Sequence, residues 1–402
     1  MSITTDGTGL PGYPGVRSRP CPFDPPTEYT DWRESEGLRR VRLGNGNTAW
    51  VVSRYEDVTS VLTDPRISAD SKRFDYLIPH AKNQPPAFPR MDVPEHGRRR
   101  RMLTRDFTVK RVEAMRPQIQ EIVDDFLDRM IDKGQPADLV QEFALPVPSL
   151  VISLLLGVPY EDHESFQQHA RTLNLTQSSI EEKQRAQGAL TGYLRELLDR
   201  KEREPGDDLL SRMMIEDVGT GNLTRDEAAL NGHTILFAGH ETTANMIALS
   251  AAALLDNPGQ AARIRDTDDP KVVAKAVEEL LRYLSIAQDM ISRVATEDLT
   301  IGGQRVRAGD ILTINLPAAN RDKSFLKDAD LLDVDRDTRR HLAFGHGVHP
   351  CLGQHLARTE LQVALPTLLR RLPDLALAVP LEEVSFRHEM AAYGVHELPV
   401  TW

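Results

Sequence analysis

Residues 224–256 read as one uninterrupted helix, and a helix of that length restricts the folds open to the chain. Thr224 and Glu227 form an S/T-x-x-E capping box, and Asn257-Pro258 stops the run. About 32 residues at ~1.5 Å each make a rod of roughly 48 Å, long enough to cross a whole domain. From 235 to 248 the sequence is largely apolar on every side, so the middle of the rod is expected to be buried. Inside that stretch sits Gly239-His240-Glu241-Thr242-Thr243. A glycine, a carboxylate and two β-branched alcohols are poor choices for a buried helix. Two readings remain, a kink with a satisfied glutamate or a functional site.

Around the rod, periodicity predicts further helices over 55–62, 95–106, 111–133, 143–156, 180–203, 270–284 and 352–371. Two β-like runs, 38–43 and 48–53, flank Gly44-Asn45-Gly46-Asn47, a hairpin signature. Short β runs at 299–301, 304–307 and 311–315 follow residue 290. The fold class is therefore mainly α with a smaller β-rich region. Residues 1–30, rich in Gly and Pro, are expected to form a loose arm lying on the body. No break in composition divides 31–402, which reads as a single domain.

The chain has 402 residues, 40% of them hydrophobic, enough for a large core. Only 5% are aromatic, so Leu, Val, Ile and Ala must supply most of the packing. The formal charge of −11 argues against non-specific binding to nucleic acid or to an anionic membrane surface. Cys21 and Cys351 allow at most one bridge, and a reducing cytoplasm is the expected compartment. The first residues carry neither a basic start nor an apolar run, so no signal peptide or membrane anchor is expected.

The sharpest signal is Phe344-Gly345-His346-Gly347-Val348-His349-Pro350-Cys351-Leu352-Gly353. Its glycines allow the backbone to approach something bulky. Cys351 precedes a helix, where backbone N–H groups and the macrodipole favour thiolate over thiol. Three readings stay open. The cysteine is structural, or it joins His346, His349 and His355 around zinc, or it is the axial ligand of a haem iron. Spacing counts against zinc, whose motifs pair their ligands and use more cysteine.

Residues 344–353 resemble, position for position, the haem-binding loop of cytochrome P-450, F-G-x-G-x-H/R-x-C-x-G. Ala238-Gly239-His240-Glu241-Thr242 resembles that family's central-helix signature, and Glu279-Leu280-Leu281-Arg282 its E-x-x-R helix. Ala319-Asn320-Arg321-Asp322 resembles the stretch that follows, and Arg336 stands where the family completes a Glu-Arg-Arg cluster. Residues 94–100 resemble the helix whose His and Arg bind haem propionates. The matches keep the family's order and span roughly 20–402. The likeness is to soluble actinobacterial members acting on macrolides, sterol-like compounds and xenobiotics, and 393–399 supports that subgroup.

The resemblance implies a cytochrome P-450 fold with the long helix over haem b. It implies Cys351 as the axial iron ligand and His96, Arg100, Arg293 and His349 at the propionates. Glu241 is to relay protons from the solvent side, and Thr242 to place its hydroxyl in a gap opened by Gly239. Glu279, Arg282 and Arg336 are to stabilise the fold. By register, Thr234, Phe237 and Ala238 face the pocket. So do Asp289 and Ile291 by alternation, and Ala391 and Ala392 from a C-terminal turn. Small residues there leave room for a bulky substrate. Asp289 departs from the family's apolar type; it either binds a polar or basic substrate group or points to water, and water is the favoured reading. Segments 68–89 and 160–182 are the expected lids.

The implied function is a monooxygenase using O2 on an apolar or amphipathic small molecule, such as a macrolide, terpenoid, sterol-like compound or xenobiotic. No reductase-like domain is present, so electrons come from NAD(P)H through an external ferredoxin and its reductase. The implied state is a cytoplasmic monomer. Two other readings are a haem sensor or recruiting partner without turnover, and a peroxide-driven oxygenase; the Glu241–Thr242 pair counts against both. With Arg100 turned inward, Arg98, Arg99, Arg101 and Arg105 are expected to fan toward solvent as a basic docking patch for an acidic ferredoxin.

Overall fold

The computed structural model describes residues 9–17, 21–73, 87–162, 168–169, 172, 179–388 and 390–402. The expected lid segments 68–89 and 160–182 fall mostly outside these residues. In chain order the helices are α1 (Glu28–Glu34), α2 (Tyr55–Thr63), α3 (Glu95–Thr104), α4 (Val109–Lys133), α5 (Pro146–Leu156) and α6 (Ile180–Arg203). Then come α7 (Leu209–Arg212), α8 (Arg225–Leu255), α9 (Pro258–Arg265), α10 (Pro270–Leu284), α11 (Leu316–Ala319) and α12 (Gln354–Arg371).

The long rod is α8, and its capping box is made in both directions between Thr224 and Glu227. It runs as α-helix without interruption for 31 residues, through Gly239. A Cβ at Gly239 would lie 2.8 Å from Ile152 Cδ1, so the glycine lets α5 pack against α8. Helices α6 and α12 cover other faces of α8, and α4 packs on α12. One apolar core surrounds this assembly, running from Phe23 to Val400 in sequence. The fold is mainly α, as the periodicity predicts. The predicted 143–156 helix begins at Pro146 because a wider turn, Val140–Ala144, precedes it. Proline at the first helical position suits that start. No described helix is long and apolar enough to cross a membrane.

The β-rich region is one larger sheet and two small ones. Its strands are β1 (Gly12–Tyr13), β2 (Arg39–Leu43), β3 (Thr48–Val52), β4 (Ile67–Ser68), β5 (Ala137–Asp138) and β6 (Ser292–Ala295). They continue with β7 (Leu299–Ile301), β8 (Gln304–Val306), β9 (Ile311–Ile314), β10 (Ala376–Leu377) and β11 (Pro399–Thr401). The larger sheet has the order β1-β2-β3-β9-β6-β4. β6 lies antiparallel to β9, with Arg293 opposite Leu312.

The described part of the N-terminal arm is clasped to the body. Tyr13 donates its hydroxyl to the Gln288 carbonyl at 2.6 Å. Arg17 is buried and donates to the carbonyls of Phe23, Leu284 and Ser285. Its guanidinium lies 3.9 Å from the Tyr393 ring centroid, and Tyr393 donates its hydroxyl to the Pro22 carbonyl at 2.8 Å.

Glu279 and Arg282 are not a surface pair. Both side chains are 0% exposed and bonded at 2.7 Å. Arg282 also donates to the carbonyls of Asn320, Ala329 and Leu331, tying α10 to the following loop. Arg336 does not join Glu279; it donates to the Asp328 carbonyl and pairs with Asp333. The remaining Glu279 contact comes from the Asp333 backbone N–H at 3.0 Å.

Candidate functional site

The cysteine loop is held from outside by charges on α10 and α12. Arg358 bonds Glu278 at 2.6 Å and lies 4.4 Å from the Phe344 ring centroid. Glu278 also meets His341 Nε2 at 3.1 Å, and the Ala343 N–H donates to His341 Nδ1. The Cys351 N–H donates to the Phe344 carbonyl at 2.8 Å, closing the loop. Gly345 and Gly347 take left-handed φ values of +75° and +74°. A Cβ at Gly347 would lie 2.2 Å from the Leu62 carbonyl oxygen. Gly347→Ala is therefore expected to destabilise the protein by at least ~1–3 kcal/mol, read from the shift in urea midpoint. An unchanged midpoint would mean that the loop is free to move off α2.

Protein surrounds Cys351, yet the residue keeps an accessible face, so it lines an internal hollow. Burial pushes its thiol above the usual value; the Gly353 backbone, Arg100 and Arg358 pull the other way. Helix α12 starts at Gln354, three residues beyond Cys351. Among the described residues no group of three His, Cys, Asp or Glu could hold a metal ion, which removes the zinc alternative.

Four other candidates converge beside the loop. His96 on α3 and His349 have ring centroids 3.8 Å apart. Both nitrogens of His96 and Nδ1 of His349 are buried without partners. Burial, then the neighbouring cations, lowers His96 to about 4. The same influences lower His349 to about 3, with His96 itself contributing. Arg100 and Arg293 act electrostatically on both rings. Arg293, brought in by β6, is lowered to about 10 by burial and by Arg90, and its guanidinium donates to the Ser292 carbonyl. Neither guanidinium has a carboxylate partner among the described residues. Among the described residues, the unpartnered imidazole of His96, the unpartnered Nδ1 of His349 and two guanidiniums without a carboxylate suit a carboxylate-bearing group such as haem with its propionates.

Along the middle of α8 the positions that are not buried are Leu230, His233, Thr234, Phe237, Ala238, Gly239 and Thr242. Their spacing makes one stripe facing the hollow. Phe237 is 39% exposed in the midst of the core. Thr242 donates its hydroxyl to the Ala238 carbonyl at 2.6 Å. Glu241 is buried rather than turned to solvent, and Arg387 donates to it at 2.8 Å. Burial raises its carboxyl above the usual range, against the pull of Arg387. The neighbouring His240 has both ring nitrogens buried without partners and is lowered to about 4, first by burial and then by Arg387.

The other wall brings Asp289, Ile291, Ala391 and Ala392 together. The N–H groups of Gln288 and Asp289 donate to the Ala391 carbonyl at 2.9 and 3.3 Å, and Ala287 bridges Ala392. Ile291 accepts from the Ile314 N–H and approaches Gly345 of the cysteine loop. Asp289 is half-buried. Its carboxylate accepts from the Thr313 hydroxyl at 3.3 Å and is raised by burial, with Thr313 and Arg90 opposing. Arg90 and Arg387 are participants that sequence reasoning missed; their local sequence carries no spacing signal.

Of the expected basic patch, Arg101 is exposed, whereas Arg98 and Arg105 are half-buried and paired with acids and Arg99 is buried. Arg98 pairs with Glu95, while the buried Arg99 pairs with Glu95 and Glu227. Arg105 pairs with Glu216 and Asp217.

A model of the cytochrome P450 family matches residues 33–190 and 174–373. The chain is 52% identical over 394 residues to cytochrome P450-SU2 of Streptomyces griseolus, covering 97% of this chain and 96% of that one. It superposes on the crystal structure of GfsF with a TM-score of 0.90 at 48% identity, covering 98% and 100% of the two chains. GfsF is a cytochrome P450 of Streptomyces halstedii. The mycinamicin VIII C21 methyl hydroxylase of Micromonospora griseorubida, solved with mycinamicin VIII bound, aligns with a TM-score of 0.89 at 38% identity, covering 97% and 100%.

Proposed function

The chain belongs to the cytochrome P450 family of monooxygenases, and on that premise we propose that Cys351 ligates the iron of haem b and that the hollow beside α8 takes an amphipathic secondary metabolite. The observation that carries this reading is the convergence of four carboxylate-binding side chains beside one accessible cysteine. His96, Arg100, Arg293 and His349 hold the two propionates. When bound, haem activates dioxygen so that one atom enters the substrate and the other leaves as water.

The chain's own side chains then do the rest. Phe237, Ala238, Ile291, Ala391 and Ala392 exclude water and orient the apolar body of the substrate. Thr234 and Asp289 offer polar contacts at its edge. Glu241 and Thr242 deliver protons, since a buried site must pass them through carboxylates and hydroxyls. The likeness to a hydroxylase solved with mycinamicin VIII supports a macrolide or related polyketide. In this reading the protein acts as a cytoplasmic monomer and receives electrons from NAD(P)H through a ferredoxin and reductase.

The test is turnover with a reconstituted donor chain and a macrolide panel, first screened for compounds that change the haem spin state. Thr242→Ala should keep spin-state binding but lower product formed per NAD(P)H by roughly tenfold or more, a positioned proton donor being worth on the order of 10²–10⁴. An unchanged ratio would remove Thr242 from proton delivery. A panel without any spin-state response would remove the macrolide reading.

A further inference from the structure

The buried charge pair on α8 connects to a segment that also builds the pocket wall. Arg387 and Glu241 are bonded at 2.8 Å, with side chains 15% and 11% exposed. Arg387 stands at the base of a turn closed by its own N–H donating to the Gly394 carbonyl at 2.8 Å, with Phe386 bridging Val395 just outside. At that base, a Cβ on Gly394 would lie 2.2 Å from Asn245 Oδ1, so the turn sits directly on α8 one helical step beyond Glu241. Near its tip the Ala391 carbonyl accepts from Gln288 and Asp289, and the Met390 carbonyl accepts from the Gln288 side chain. The Tyr393 N–H donates to the Ile286 carbonyl at 2.8 Å. One hydrogen-bonded turn therefore carries Ala391 and Ala392 on the pocket side and the Arg387 guanidinium on the Glu241 side.

We propose that Arg387 is a positioning residue that ties proton supply to substrate occupancy: it holds the Glu241 carboxylate until a substrate pressing on Ala391 and Ala392 shifts the turn and loosens that hold. The proposal rests on the reading of Glu241 as a proton carrier. A substrate drives the shift only by binding the loosened arrangement better than the held one. Contact with the wall supplies that difference, because the turn is packed at both ends and does not deform locally. A guanidinium suits the holding role through its fixed charge and directed donors. Without it, burial favours the neutral carboxyl, and a ready proton is present whether or not a substrate is bound.

Arg387→Met and Arg387→Lys distinguish the roles. With no substrate added, Arg387→Met should consume NAD(P)H at least several-fold faster than the parent, with the electrons recovered as hydrogen peroxide. Arg387→Lys, which keeps a cation, should stay within about twofold. Infrared spectroscopy of the oxidised, substrate-free protein gives a readout independent of turnover. Arg387→Met should show the C=O stretch of a protonated carboxyl that disappears in Arg387→Met/Glu241→Gln. The CO-bound spectrum and unfolding midpoint of each variant control for a merely structural effect. Equal behaviour of the Met and Lys variants, or full persistence of the Met effect in the Glu241→Gln background, would overturn the proposal. Glu241→Gln alone separates the two readings. If it leaves product per NAD(P)H unchanged, the proton-carrier reading fails regardless of Arg387.

Discussion

Cys351→His is expected to abolish the red-shifted Soret band of the reduced, CO-bound protein and all NAD(P)H-driven product formation with it. That band would report thiolate ligation of the haem, and imidazole does not reproduce the electron donation of sulfur. The loop itself should survive the exchange. Its anchors are Arg358, Glu278 and His341 on one side and the Gly347–Leu62 contact on the other, and the Cys351 sulfur belongs to none of them. The Phe344–Cys351 hydrogen bond uses backbone atoms and is available to any non-proline residue. The unfolding midpoint should therefore move little while the spectrum changes completely. A persisting thiolate band would remove Cys351 as the ligand. A collapsed midpoint would call for the smaller Cys351→Ser before any conclusion is drawn.

Arg282→Leu is expected to destabilise the protein by about 3–5 kcal/mol, because it leaves the Glu279 carboxylate buried without its partner. Domains are stable by only ~5–15 kcal/mol, so this is a large fraction of the whole. The damage should also spread beyond α10. Arg282 binds the Asn320 carbonyl, and Asn320 Oδ1 accepts from the Leu342 N–H at 2.7 Å just before the cysteine loop. Reduced haem content should accompany lower stability. Glu279→Gln should cost less, since the amide oxygen still accepts from the Asp333 N–H. Urea unfolding of both variants checks the order. A loss below about 1 kcal/mol for Arg282→Leu would show that the pair is no more than a surface ion pair in energy.

Features governed by local chemistry were legible in the sequence. The Thr224–Glu227 box and the apolar middle of α8 need only neighbours within a few turns, and α6 and α10 follow their periodicity to the residue. The 344–353 loop was legible because its glycines and cysteine are contiguous. What escaped depends on distant partners. A Glu and an Arg three apart look alike on a surface and in a core, so Glu279 and Arg282 gave no sign of full burial. Arg99 and Arg105 looked like solvent-facing cations because their partners Glu227 and Asp217 are more than 100 positions away. Gly239 left two readings open, because its close contact with Ile152 on another helix exists only in the folded chain. Arg387 carried no signal at all, since only the folded chain brings it to Glu241.

The clasp between the N-terminal arm and Tyr393 also sets an order of events during synthesis. Pro22 and its partner Tyr393 are 371 positions apart. A ribosome adding ~5–20 residues each second makes the arm wait roughly 20–70 s for that partner. Once Arg358 has been added, the nascent chain carries Cys351 and every anchor of its loop, but still lacks the Tyr393 half of the clasp and the Ala391–Ala392 part of the second wall. The cysteine loop and α8 thus emerge into a half-open molecule. The route to the hollow narrows only when residues 387–394 fold back and Arg17 settles on the Tyr393 ring.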